Sequence, residues 1–77
     1  MTRLRLVVFA KLANVAEVKG FRRVRQEGSH NVFHNAEGKI VVIPNHGSQV
    51  IVRPLLRKIL RDMGISPDEN ERILKEL

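Results

Sequence analysis

Apolar positions recur along this chain at two periods, and the switches between them mark its elements. Val8, Leu12, Val15 and Ala16 fall at helical spacing, with Lys11, Asn14 and Glu17 between them. Gly20 followed by Phe21 is a common helix ending, a left-handed glycine and then an apolar residue folding back. The spacing therefore predicts a first helix from Val8 to Lys19. Phe21–Gln26 reads as a strand of low hydrophobicity, Glu27-Gly28-Ser29 as a turn, and His30–Asn35 as a second strand. Asn35-Ala36-Glu37-Gly38 is a hairpin loop. Lys39–Pro44, with Ile-Val-Val-Ile at its centre, has the strongest strand composition in the chain. Links this short join antiparallel neighbours, so the strands should lie in the order first, second, third.

Asn45–Val52 reads as a loop, and Pro54 suits the first turn of a helix. Leu56, Ile59, Leu60 and Met63 form one apolar stripe, leaving Arg53, Arg57, Lys58 and Arg61 on the other faces. Gly64-Ile65 repeats the earlier stop. Ser66-Pro67-Asp68-Glu69 is a capping box that opens a last helix, with Ile73 and Leu74 turned inward and Leu77 a further core candidate. A three-stranded sheet needs one face covered, and the two main helices are expected to cover it. The expected fold class is α+β, an α-β-β-β-α order with a short C-terminal helix in two layers. No repeat, linker or low-complexity tract divides residues 1–77, which read as a single domain.

Length and composition narrow the function. A 77-residue chain buries a modest share of its surface, so any chemistry should sit on a shallow site. With no cysteine, disulfides and thiolate metal sites are excluded. No apolar run is longer than Ile40–Pro44, too short to cross a membrane. The opening Met1–Ala10 segment lacks the apolar core and small-residue cleavage site of a signal peptide, so the expected location is the cytoplasm. The net charge is +6 and uneven: residues 1–61 carry twelve basic and three acidic side chains, residues 62–77 two basic and five acidic. A basic body with an acidic tail points to a polyanionic partner, foremost nucleic acid, the alternative being ordinary solubilising charge.

Four segments together are more specific. Gly20-Phe21 is followed by Val24-Arg25-Gln26-Glu27-Gly28-Ser29-His30 and then by Val41-Val42-Ile43-Pro44-Asn45-His46. The fourth segment runs from Leu56-Arg57-Lys58-Ile59-Leu60-Arg61 to Gly64-Ile65-Ser66. In this combination, over residues 8 to 70, the chain resembles the HicA (YcfA-like) toxins. The resemblance implies a fold like the double-stranded-RNA-binding domain, cleavage of messenger RNA, and a neutralising HicB-type antitoxin. It also implies that the catalytic histidine of the family's Gly-Ser-His motif is His30. The chain departs from the family in entering its second main helix through Val52-Arg53-Pro54-Leu55 rather than a Lys-Pro-Gly-Thr-like segment. Its first helix also lacks the usual polar start.

The residues themselves favour metal-free chemistry without a cofactor. His30 and His34 share a strand face but stand roughly 13 Å apart at about 3.3 Å per residue, too far for one ion. No carboxylate cluster stands beside them in the sequence. RNA cleavage without metal needs a base for the ribose 2′-hydroxyl, an acid for the leaving 5′-oxygen, and cations for the phosphoryl oxygens. Histidine suits both proton roles. Gly28 and Ser29 can offer backbone N–H groups to a phosphate, and His46 is a candidate partner acid or phosphate contact. The plain readings are a half-exposed strand histidine for His30 and a structural loop histidine for His46, while His34 has no role beyond the strand.

Arg23, Arg25, Lys39, Arg57, Lys58 and Arg61 are the candidate RNA-binding cations. Phe9, Phe21 and Phe33 each fit the core, so recognition should be backbone-dominated and weakly sequence-selective. If Phe33 faces the helices, Val32 shares the open face with His30 and His34. That apolar, histidine-bearing face is a candidate antitoxin surface, and Val32→Lys is expected to weaken binding there. Two other readings compete with a ribonuclease: a non-catalytic RNA-binding module, and an interaction protein whose basic face meets an acidic partner.

Overall fold

Each apolar stripe of the sequence becomes one wall of a shared core. The computed structural model describes residues 4–77; Met1, Thr2 and Arg3, where the leader reading begins, lie outside the described residues. The elements run α1 (Phe9–Val18), β1 (Arg22–Glu27), β2 (His30–His34), β3 (Ile40–Pro44), α2 (Arg53–Met63) and α3 (Pro67–Glu76). The strands form one antiparallel sheet in the order β1-β2-β3, an α+β architecture as expected. The first strand begins and ends one residue later than its composition implied. The third begins at Ile40 rather than Lys39, because Asn35 Oδ1 accepts from the Lys39 N–H at 2.8 Å and keeps that residue in the loop.

Leu12, Val15 and Ala16 of α1 and Leu56, Ile59, Leu60 and Met63 of α2 meet Phe33, Val41 and Ile43 on the inner face of the sheet. Each such burial contributes about 1.5–3 kcal/mol for the larger side chains. Phe21 is buried as well, and Phe9 packs half-buried against Phe33 with ring centroids 6.5 Å apart. Ile73 of α3 joins this core and Leu74 packs against it, but Leu77 is exposed, one residue beyond the helix. At 10 residues α3 is as long as α1, not the short helix expected. α1 and α2 end as the Gly-apolar pairs imply. Phe21 N–H donates to Ala16 O at 2.9 Å and Ile65 N–H to Leu60 O at 3.0 Å, each across a left-handed glycine. Ser66 Oγ caps α3 by accepting from Glu69 N–H at 3.1 Å. The Glu69 carboxylate does not reach back as a capping box would; it pairs with Lys19 Nζ at 2.6 Å and docks α3 on the end of α1.

The helical cover is lopsided. α1 and α2 pack on β3, and every residue of β1 is exposed. The cause is local: β1 presents Arg23 and Gln26 to the inner side, opposite Phe33 and Asn31. A bulge between Arg23 and Arg25 sends those two arginines to opposite faces, where strict alternation would have kept them together. Arg22, Arg25 and Glu27 thus share the open face with His34, Val32 and His30.

Val32 lies on the open face as expected, but it is only 7% exposed and stands outside the core cluster. In the register it lies between Arg25 of β1 and Val42 of β3. Beside it on the open face, β3 exposes two apolar side chains, Ile40 at 57% and Val42 at 40%.

The segment before α1 has a structural role that the spacing did not reveal. Val7 O accepts from Ile51 N–H at 2.8 Å, Val8 bridges Val50, and Arg53 Nη1 donates to Leu4 O at 2.9 Å. Residues 4–8 therefore strap the loop ahead of α2. They also account for the atypical helix starts: Val8 and Val52 make no side-chain caps, and the backbone around both is held by the strap instead.

Candidate functional site

His30 opens β2 immediately after the Gly28-Ser29 turn, and the turn decides where it points. Gly28 has φ +60 while Ser29 does not have a positive φ, the pattern of a two-residue type II′ hairpin. Glu27 and His30 close that hairpin as a cross-strand pair, so the His30 side chain stands on the open face opposite Pro44 of β3. The loop after β3 then brings the second histidine. Asn45 N–H donates to Ser29 O at 2.7 Å, and Asn45 Oδ1 accepts from Gly47 N–H at 3.0 Å, a turn that encloses His46.

The two histidines line one groove of about 410 Å³, open to solvent at its top. Val42 and Pro44 of the sheet and Leu55 of α2 form its apolar wall, while Lys58 and Gln49 bring polar groups to it. Lys58 Nζ pairs with Asp62 at 2.7 Å, but both side chains are solvated, and exposed pairs of this kind are worth about 1 kcal/mol at most. The ammonium is therefore free to exchange that partner for an anion. Gln49 escaped the sequence reading, since a lone glutamine in a polar loop carries no signal until the fold closes the loop over the sheet. A larger concavity of about 710 Å³ lies between α1 and β1, lined by Phe9, Phe21, Phe33 and Arg22, but it holds no histidine.

The remaining candidate cations divide into three places. Arg57 and Arg61 line a second concavity at the end of α2, beside Ile65 and Pro67. Lys39 Nζ joins them, lying 3.3 Å from where a β-carbon on Gly64 would stand. Arg25 is on the open face with the histidines and pairs with Glu27 at 3.2 Å. Arg23 is on the inner face and donates to Asn31 Oδ1 at 3.3 Å, away from the groove. The fold thus gathers His30, His46 and Lys58, sets Lys39, Arg57 and Arg61 along the next flank of α2, and separates Arg23 from both. His34 stands at the far end of β2, level with Ile40. Among the described residues, no group of three or more His, Asp or Glu side chains is placed to hold a metal ion.

What such a groove can do follows from its groups. Two imidazoles can give and take protons, an ammonium can meet a phosphate, and the apolar wall keeps one side dry. A family model described as HicA toxin of bacterial toxin–antitoxin matches residues 9–65, which takes in the turn, the groove and all of α2. No curated protein matches the chain. No helix of the described residues is long and apolar enough to cross a membrane.

Proposed function

The chain belongs to the HicA toxin family, and from that premise we propose that this toxin is a metal-independent endoribonuclease of messenger RNA, its site the His30–His46 groove and its chain one domain over residues 1–77. One histidine takes the proton of a ribose 2′-hydroxyl, and the oxygen attacks the adjacent phosphorus. The other protonates the departing 5′-oxygen, leaving a 2′,3′-cyclic phosphate and a 5′-hydroxyl end. Lys58 and the N–H groups of Gly28 and Ser29 face the charge that develops on the phosphoryl oxygens. Lys39, Arg57 and Arg61 carry the RNA backbone beyond the cut, and Arg25 does so across the open face. The antitoxin expected from the family is of the HicB type, and it neutralises by covering the apolar open face and His30 with it.

The observation that carries this reading is the convergence of His30, His46 and Lys58 in one groove from a strand, a loop and a helix. It is tested by incubating wild type and His30→Ala, both shown folded by circular dichroism, with a defined messenger RNA in excess EDTA. Cleavage by the wild type alone, with cyclic phosphate ends, is the expected result. If neither protein cuts, or both cut equally, His30 has no such role. Binding without cutting promotes the RNA-binding module in its place.

A further inference from the structure

Asn31 follows the histidine of the turn but points the opposite way, into the inner face of the sheet, where it is fully buried beside Ile43. A polar side chain in such a place must find its hydrogen bonds inside the protein. Its Nδ2 donates to Ser29 O at 3.2 Å and is 3.5 Å from Ile43 O, and its Oδ1 accepts from Arg23 Nη1 at 3.3 Å. Two carbonyls on one side and a guanidinium on the other fix which end of the amide is which.

The Ser29 carbonyl also takes the Asn45 N–H, so both of its lone pairs are used. Ser29 directly precedes His30, and Asn45 directly precedes His46. A continuous chain therefore runs Arg23, Asn31, Ser29, Asn45, Gly47 beneath the groove, and it brackets the backbone of both histidines.

We infer that Asn31 is a positioning residue that sets the spacing of His30 and His46 through the Ser29 carbonyl, an inference that rests on the ribonuclease reading of the groove. The alternative, a plain structural amide, is separable in principle. Asn31→Leu leaves the Ser29 carbonyl bonded to Asn45 and the Ile43 carbonyl within the β2–β3 ladder, and it lets the exposed Arg23 turn to water, so no buried group is orphaned. What it removes is the second anchor on that carbonyl. A displacement near 1 Å at a two-proton site costs about 100-fold in rate, while phosphate contacts elsewhere are untouched.

The test compares wild type and Asn31→Leu for RNA cleavage and, by NMR, for exchange of the Asn45 amide proton. The expected result is a fall in kcat of about 10- to 100-fold with KM within about twofold, and faster exchange at Asn45 while the β2–β3 ladder keeps its protection. An unchanged kcat, an Asn45 amide as protected as before, or equal loss of protection across the sheet overturns the inference. If the wild type itself does not cleave, the ribonuclease reading fails on that arm, and exchange at Asn45 still decides whether Asn31 holds the bracket. Should Asn31→Leu not fold, Arg23→Met strips the donor from Asn31 Oδ1 without entering the core. Faster exchange confined to Asn45 then supports the bracket, and an unchanged rate overturns it.

Discussion

Salt dependence offers the sharpest measure of how this protein would hold RNA, because the structure sorts its candidate cations by what already engages them. Among the described residues, Lys39, Arg57 and Arg61 make no salt bridge, whereas Arg25 is paired with Glu27, Lys58 with Asp62, and Arg23 is hydrogen-bonded to Asn31. On a single strand each neutralised phosphate contributes about −0.7 to the slope of log K against log salt. The three free cations alone give a slope of about −2, or about an 18-fold loss of affinity from about 50 to about 200 mM salt. Engaging all six candidates would double the slope to about −4 and lose about 300-fold over the same range. The perturbation is Arg57→Ala with Arg61→Ala, in a His30→Ala background that keeps the RNA intact. It should flatten the slope by about 1.4 and leave only about a threefold loss across the range if Lys39 alone remains. Fluorescence anisotropy with a labelled single strand reads this directly. A slope near zero in the parent would refute a phosphate-led mode of binding. A parent slope that survives both substitutions would place that binding elsewhere than the flank of α2.

Two further outcomes are expected. Ser66→Ala removes the acceptor of the Glu69 N–H and should cost about 1 kcal/mol, a fall in Tm of about 4–8 °C for a domain of this size, without altering cleavage; a melt unchanged within a degree would show that the cap adds nothing. Val42→Lys places a charge on the exposed apolar surface of β3 and should weaken antitoxin affinity at least about tenfold with little change in Tm, since Val42 already meets solvent; isothermal titration with the cognate antitoxin checks it, and an unchanged Kd would move the docking surface off this face. Val42 is the better probe than Val32, which is buried and lies between Arg25 and Val42.

The elements were legible in the chain because each carried its own local signal. Helical spacing, the paired Gly-apolar stops and the Ser66 cap all act within a few residues, and α1, α2 and α3 lie where those signals put them. What depended on distant partners was not legible. The bulge between Arg23 and Arg25 leaves no mark in the composition of β1, yet it reverses which arginine shares a face with the histidines. Val32 read as an open-face residue from alternation alone, and its place between Arg25 and Val42 required the register. The groove was half legible: His30 stood out within its motif and His46 through its nearness to Pro44, but nothing in the spacing joined either to Lys58 or Gln49.

The strap formed by residues 4–8 bears on how so small a domain can keep a site in shape. The loop from Asn45 to Val52 contains no helix or strand, and a segment of that kind has few means of holding a side chain still. Here it is tied at both ends, by Asn45 to the Ser29 turn at the start and by Ile51 to Val7 at the finish. The second tie depends on residues 4–8, which precede the matched span of residues 9–65, and Arg5 of that strap pairs with Glu71 of α3, which follows it. Both flanks of the family core therefore converge on the same corner, where Leu74 and Val50 also line a common cleft. A chain of 77 residues cannot afford a deep, enclosed cavity. It can still fix the geometry of a shallow groove by closing the loop between a hairpin turn and a strap. In this protein the loop that carries His46 is thus placed by Val7 and Ser29, neither of which faces the groove.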